Sequence, residues 1–202
     1  MSQRKRVNRL AVVQTAADLA DTYGDLNRVT LAEIAAQLGI RIPSLYNHVD
    51  GLAGLRREVA LLSLRELTER VQSVAVGRAG DEAIVGIAHT YRDFATTHPG
   101  SYTATLEAPD SGDEELSIAA QKLLLFLRVF ESYHLTETHA VHIVRGFRSV
   151  LHGFVTLESL GGFKMAVDQD ESFEHLILLF LAGLCSYPTH EYKRKRPATA
   201  CG

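Results

Sequence analysis

Apolar residues near the start of the chain recur at helical spacing and stop at glycines. Val12, Ala16, Leu19 and Tyr23 share one face of a helix, which predicts a helix over Arg9–Tyr23. Gly24 follows directly and is suited to end that helix, because glycine accepts the left-handed conformation that closes many helices.

The next apolar stripe begins with a helix-start signal. Thr30 and Glu33 have the spacing of a capping box, in which each side chain bonds the backbone amide near the other. A second helix is therefore predicted over Thr30–Leu38, ending at Gly39.

A short and then a long helix follow this glycine. Pro43 is tolerated only in a first helical turn, which predicts a short helix over Arg41–Val49. Asp50 is a candidate cap for the long helix after it, whose apolar stripe is Leu52, Leu55, Val59 and Leu62.

The remaining chain also has helical periodicity. Four more helices are predicted over about Asp81–Thr97, Glu114–Tyr133, His139–Leu160 and Ser172–Ser186. A short turn is expected around Pro99–Glu107, and loops over Pro109–Asp113 and Gly161–Asp170. Because no alternating strand pattern or internal repeat is found, the predicted fold class is all-α.

The first three helices have the spacing of a helix-turn-helix. A capped helix, a glycine turn and a short helix that begins at a proline form the unit whose last helix can enter a DNA major groove. The inward positions are apolar: Ile34, Leu38, Ile40, Leu45 and Val49. The outward positions of the short helix can contact phosphates and base edges: Arg41, Ile42, Ser44, Tyr46, Asn47 and His48.

The distribution of charge agrees with this interpretation. The net charge is only −3, but residues 1–57 hold eight basic and five acidic side chains, whereas residues 58–192 hold nine basic and nineteen acidic ones. A basic first quarter on an acidic remainder favours contact between the first quarter and a polyanion.

These residues carry a family resemblance. The run from Leu38 to Val49 resembles the recognition segment of TetR-type transcriptional regulators, in which a glycine turn leads into a Leu-Tyr-x-His helix. The run from Thr30 to Ala35 resembles the opening of that family's second helix, and Leu55 its leucine in the fourth.

The resemblance implies roles in DNA binding. Thr30, Ser44, Tyr46 and His48 would hold the DNA backbone. Arg41, Ile42 and Asn47 would lie nearest the bases. Leu52 stands where family members often carry a lysine that meets a phosphate, with Arg56 or Arg57 as candidate substitutes.

The last two predicted helices are apolar nearly all round, so each must be covered on more than one side. Small residues recur along the first of them, and a partner helix could approach closely there. A four-helix homodimer interface is predicted at Gly146, Ser149, Gly153, Phe173, Ile177 and Phe180. The alternative is a central helix pair in a larger monomeric bundle.

The resemblance agrees, since TetR-type regulators dimerise through their last two helices. The segments around His98-Pro99-Gly100 and Leu151-His152-Gly153 are similar to the branch with a Trp-His-Gly motif, although Leu151 replaces the tryptophan.

Aromatic residues concentrate in the central helices and suggest an effector site, since ligand pockets are mostly apolar with a few polar groups. The candidates are Tyr91, Phe94, His98, Tyr102, Phe126, Phe130, Tyr133 and His152. The effector expected there is an apolar or aromatic small molecule. The alternative is that most of these residues form ordinary core.

Other function classes receive less support. The longest apolar run, Leu176–Cys185, is too short to span a membrane, and the basic start is not followed by the apolar run of a secretory signal. Two isolated cysteines suit a reducing cytosol, so a cytoplasmic protein is expected. His139 and His142 lack the companion ligands of a metal site, and no phosphate loop or nucleophile elbow is present.

The sequence thus predicts an all-α, non-enzymatic DNA-binding regulator without a cofactor or metal. A helix-turn-helix domain over 1–57 precedes a ligand-binding and dimerisation domain over 58–190 and a disordered basic tail over 191–202. We expect a ligand-responsive repressor that binds a palindromic operator as a homodimer. The alternatives are a helical sensor or protein-binding module without tight DNA binding, and a small all-α enzyme.

Overall fold

The structure is a computed structural model that describes residues 7–106, 112–125, 133 and 135–186. Within these ranges the secondary structure is helical and no strand occurs. The α-helices are α1 Arg9–Tyr23, α2 Leu31–Leu38, α3 Ile42–Leu45, α4 Gly51–Ala75, α5 Gly80–Thr97, α6 Pro99–Ala104, α7 Glu114–Leu125, α8 Glu137–Ser159 and α9 Gln169–Cys185. The all-α prediction is confirmed. The predicted basic tail and the predicted site residues Phe126 and Phe130 lie outside the described residues.

The predicted caps of α1 and α2 are confirmed. The Thr30 amide donates to the Glu33 carboxylate at 2.9 Å, and the Glu33 amide donates to the Thr30 hydroxyl at 3.3 Å. Gly24 and Gly39 end the two helices with φ of +68° and +65°. Only glycine adopts this conformation at little cost, which explains why the helices stop there.

Three predicted boundaries are wrong in ways that the backbone explains. Helix α3 ends at Leu45 rather than Val49, because the His48 amide bonds the Leu45 carbonyl three residues back, at 2.8 Å, in a tighter turn. The turn predicted after His98 contains α6. Helix α9 begins at Gln169 rather than Ser172, because Asp168 caps it through the Glu171 amide at 2.9 Å.

Asp50 occupies the cap position of α4, but its side chain makes no capping bond. Helix α4 then runs without a break through the domain boundary predicted after residue 57. Leu55 and Val59 of α4 pack into one apolar core with α1–α3, whereas Leu67 and Val71 pack into a second core with α5, α8 and α9. We call residues 7–57 the head and residues 58–186 the body; their division into two domains remains a prediction.

Candidate DNA-binding and effector sites

The side chains of α3 and the turn after it divide into a buried and an exposed set. Leu45 and Val49 are buried in the core of the head, as is Ile34 of α2. The predicted DNA-contacting residues Arg41, Ile42, Tyr46 and Asn47 are exposed, and Ser44 and His48 are half-buried. The exposed set combines a guanidinium, a phenol, an amide and an aliphatic side chain on a surface that is fixed from below by packing.

The turn between α3 and α4 borders a cleft of about 370 Å³. Tyr46, Asn47 and His48 line this cleft together with Arg9, the first residue of α1. Phenol, amide, imidazole and guanidinium groups all donate hydrogen bonds to phosphate oxygens. The structure therefore brings three candidate phosphate donors to one edge of the head, whereas Arg9 is paired with Glu58, which lines the same cleft.

Thr30 is placed differently from the other predicted DNA contacts. It is exposed, but its hydroxyl lies 2.6 Å from Oε2 of Glu33, to which it donates its only proton. The phenol of Tyr23 donates to the other oxygen of Glu33 at 2.8 Å. The bonds from Thr30 and then from Tyr23 lower the pKa of Glu33, so this carboxylate stays charged near neutral pH. Thr30 can donate to a phosphate only by leaving Glu33.

Arg57 does not replace the lysine that family members often carry at the position of Leu52. Leu52 itself is half-buried against the core of the head. Arg57 donates to Asp113 through Nε at 2.5 Å and Nη2 at 2.8 Å, and to Glu58 through Nη1 at 2.9 Å. Arg57 thus ties α4 to the residue that caps α7. Arg56 remains the candidate substitute, with a buried Nε that has no hydrogen-bond partner among the described residues.

In the body, three of the predicted effector-site residues form a hydrogen-bonded chain. The phenol oxygens of Tyr91 and Tyr102 are 2.9 Å apart, and Tyr102 Oη is 2.6 Å from Nδ1 of His152. The two phenol rings meet edge to face with centroids 5.5 Å apart. Burial is the main reason that the pKa of both phenols is raised, so both stay protonated. This chain is a set of convergent polar groups among apolar side chains, as an effector site requires.

The other predicted effector-site residues that the structure describes do not join this chain. Phe94 is fully buried in the core of the body. His98 lies at the contact between body and head, where both ring nitrogens are within bonding distance of side chains of α1 and α4. Tyr133 donates to Asp81, at the start of α5. The sequence could not separate these roles, because the partners of His98 and Tyr133 are 77 and 52 positions away in the chain.

The body also borders two clefts that none of the predicted effector-site residues line. One of about 480 Å³ lies between the head and α6–α7, and its polar lining includes Arg56, Asn27 and Thr103. The other, of about 400 Å³, lies between α4 and α7.

The surface of α8 and α9 corrects the predicted dimer interface. Phe173 and Ile177 are 0% and 2% exposed, so they belong to the chain's own core and cannot meet a partner. The outward side of α9 instead carries Leu178 and Leu179, which are 59% and 71% exposed. The buried residues of α9 recur four, four and three positions apart, but leucines and Phe180 fill the positions between them, so the sequence spacing alone does not separate the two sides.

The small residues of α8 lie on its outer side. Gly146 and Ser149 are exposed and Gly153 is half-buried. A Cβ atom added to either glycine would meet no atom of the described residues within 4 Å. Phe180 is half-buried and packs on Phe147 with ring centroids 4.9 Å apart. Val141 and Leu157 add exposed apolar surface to the same helix.

Two absences hold for the described part of the chain. No group of three or more His, Cys, Asp or Glu residues there is arranged to hold a metal ion. No helix there has both the length and the apolar character needed to cross a membrane.

Comparison with known proteins finds a matching family model and similar proteins. Residues 84–180 match the family model described as the tetracyclin repressor-like C-terminal domain. The chain is 36% identical over 186 residues to the HTH-type transcriptional regulator YobS of Bacillus subtilis, covering 91% of this chain and 96% of that protein. It is 35% identical to the HTH-type transcriptional regulator Rv0681 of Mycobacterium tuberculosis, covering 92% and 85%.

Solved structures share the fold. The transcriptional regulator SCO7222, a TetR from Streptomyces coelicolor, superposes with a TM-score of 0.69 at 16% identity, covering 92% of this chain and 100% of that one. A second tetR-family regulator from the same organism gives a TM-score of 0.66 at 19% identity, covering 93% and 85%.

Proposed function

The chain belongs to the TetR family of helix-turn-helix, DNA-binding transcriptional regulators, which are not enzymes, and we propose that it is a ligand-responsive repressor that binds a palindromic operator as a homodimer. The observation that carries the proposal is the exposed polar set on and beside α3, held on a packed head. Arg41, Ile42 and Asn47 contact base edges, and Ser44, Tyr46 and His48 contact the backbone.

Homodimerisation is supported by the outward side of α8 and α9. Leu178 and Leu179 are exposed leucines on the same helix, and Gly146 and Gly153 leave room for a second helix. Two-fold symmetry would place two copies of α3 in successive major grooves, about 34–36 Å apart, so that the operator is palindromic.

Effector binding is supported by the hydrogen-bonded chain of Tyr91, Tyr102 and His152. Its apolar surroundings fit an apolar or aromatic molecule with at least one hydrogen-bonding group. Tyr102 belongs to α6, which contacts α1 of the head, so a ligand that displaces Tyr102 also displaces a support of the head. Effector and DNA would then oppose each other through a reciprocal coupling of about 1–3 kcal/mol.

DNA selection tests this proposal. The full chain is incubated with a randomised duplex pool and, in parallel, with the DNA upstream of its own gene, and bound sequences are recovered and footprinted. We expect a palindromic site whose affinity falls steeply with salt, because phosphate contacts release counterions. Binding without sequence preference, or recovery of a single half-site only, would contradict the proposal.

A further inference from the structure

His98 has a partner on each side of its ring, at the meeting point of four helices. The residue lies between the last residue of α5 and the first of α6. Its Nδ1 is 2.9 Å from Oδ2 of Asp21 on α1, and its Nε2 is 2.9 Å from Nη2 of Arg70 on α4. One imidazole therefore connects the head, through α1, with the body.

The partners select one tautomer of the neutral ring. An arginine has no acceptor, so Nε2 of the neutral ring accepts from Arg70. Nδ1 then carries the proton and donates it to the carboxylate of Asp21. Arg70 is held in turn by Glu66 at 2.7 Å and Asp93 at 3.5 Å, and Oε1 of Glu66 lies 3.9 Å from Nε2 of His98. The neutral imidazole thus has one tautomer and one orientation.

The backbone next to His98 is held just as closely. The second oxygen of Asp21 accepts the amide of Ser101, in the first turn of α6, at 2.7 Å. A Cβ atom at Gly100 would lie 2.2 Å from the carbonyl carbon and oxygen of Ala20. The start of α6 therefore lies directly on the end of α1, in close backbone contact with it.

We infer that His98 is a positioning residue for DNA binding: by joining Asp21 to Arg70 it holds the head in the orientation that binds DNA. Tyr102, four residues further along, belongs to the candidate effector site, so this joint lies between the effector site and the head. The link from His98 to effector binding rests on the proposed function, whereas its link to the head rests on contacts within the free protein.

The test compares variants of the full chain on the operator selected above. His98→Ala removes both bonds, and His98→Asn places an amide donor near the position of Nδ1 and removes the bond to Arg70. His89→Ala is the matched control, because His89 is on α5, the helix that ends just before His98. It also has a carboxylate partner, Glu174 at 2.9 Å, and an aromatic partner, Phe173 at 5.6 Å between centroids. Fluorescence anisotropy gives the dissociation constant, and titration at high protein concentration gives the active fraction.

We expect His98→Ala to weaken operator binding by about 5- to 150-fold, the usual range of a coupling between sites. His98→Asn should lie between His98→Ala and the wild type, and His89→Ala should bind as the wild type does. Asp21→Ala combined with His98→Ala should weaken binding by less than the product of the two single effects, because the bond between Asp21 and His98 is removed by both substitutions.

The outcomes separate the inference from the proposed function. A wild-type chain that selects no operator would overturn both. Wild-type binding together with unchanged affinity of His98→Ala and His98→Asn would overturn the inference alone. A loss confined to the active fraction, with an unchanged dissociation constant, would show a role in folding only and would also overturn it.

Discussion

The hydroxyl oxygen of Tyr102 lies 2.6 Å from Nδ1 of His152 and 2.9 Å from the hydroxyl oxygen of Tyr91. Tyr102 is therefore the middle member of the chain, and its single proton can be donated to only one neighbour. Removing this hydroxyl leaves Tyr91 and His152 without their shared partner. Removing that of Tyr91 leaves one member of the chain without that partner, since Arg148, which also interacts with Tyr91, is half-buried and keeps its bond to the Thr105 carbonyl. The position in the chain thus predicts which phenol matters more for stability.

Tyr102→Phe should lower the free energy of unfolding by about 2–3 kcal/mol, and Tyr91→Phe by about 1 kcal/mol, because an unsatisfied buried group costs more than the bond itself contributes. Urea unfolding of both variants at neutral pH measures the difference. Equal losses, or a larger loss for Tyr91→Phe, would contradict the central role of Tyr102.

The local features of the fold were predictable because their causes are local. Thr30, Glu33 and Gly39 lie within one short helix and its ends, so their bonds depend only on neighbouring residues. The exposed and buried positions of α3 likewise follow from the helical spacing of its apolar residues. The comparisons then support the family that these same residues suggested.

The roles of other residues could not be predicted, because these roles depend on contacts between distant segments. His98 pairs with Asp21, which is 77 positions away, and no periodic pattern encodes this contact. Phe173 and Ile177 were assigned to the interface because α9 is apolar on most of its surface, and only packing against α5 and α8 shows which side is inward. Sequence periodicity thus found the apolar helix but not its orientation.

Ile42 and Tyr46 should affect DNA binding in different ways. Both are exposed, but the aliphatic Ile42 can contact only apolar groups in the groove, such as a thymine methyl, whereas the phenol of Tyr46 donates to phosphate. Tyr46→Ala and Tyr46→Phe should weaken all operator variants alike. Ile42→Ala should reduce discrimination at one base pair, by about 1–3 kcal/mol. Anisotropy on a panel of single-base operator variants distinguishes the two patterns, and a uniform effect of Ile42→Ala would contradict its placement near the bases.

Gly153→Glu should prevent homodimerisation without unfolding the chain. An added side chain meets nothing within 4 Å in the single chain, so the substitution is tolerated there, whereas a partner helix packed on α8 would meet a buried charge. Light scattering should show a monomer for this variant and a dimer for the wild type. Gln121→Glu, at an exposed position of α7, is the control for added charge. A dimeric Gly153→Glu would exclude this part of α8 from the interface.

Asp113 should make stability depend on acidity. The guanidinium of Arg57, and next the amide of Leu116, hold the pKa of Asp113 below its ordinary value of about 3.9. The ionised form is therefore favoured by folding, and its stabilisation is present above about pH 4 and lost as the pH falls toward the lowered pKa. Asp113→Asn keeps a side chain that can cap α7 but removes the charge.

At pH 7 the unfolding temperature of Asp113→Asn should thus be lower than that of the wild type. The difference between the two unfolding temperatures should narrow below about pH 4. Glu114→Gln, at the exposed next position, controls for the loss of one negative charge. A difference between Asp113→Asn and the wild type that stays constant between pH 7 and pH 3 would show that the ion pair is not its cause.

Gly100→Ala should disturb the contact between α1 and α6. Its Cβ would lie 2.2 Å from the backbone of Ala20, which is not a flexible side-chain end, so one of the two helices has to move. Overpacking of this kind typically costs about 1–3 kcal/mol of stability. Gly86→Ala in α5 is the matched control: its nearest contacts are ordinary, from 3.4 Å to a side-chain end of Arg78, and alanine favours a helix by about 1 kcal/mol. The free energy of unfolding in urea should therefore fall for Gly100→Ala and rise for Gly86→Ala. Operator affinity should fall only for Gly100→Ala. Unchanged affinity with reduced stability would mean that α6 can shift on α1 without turning the head.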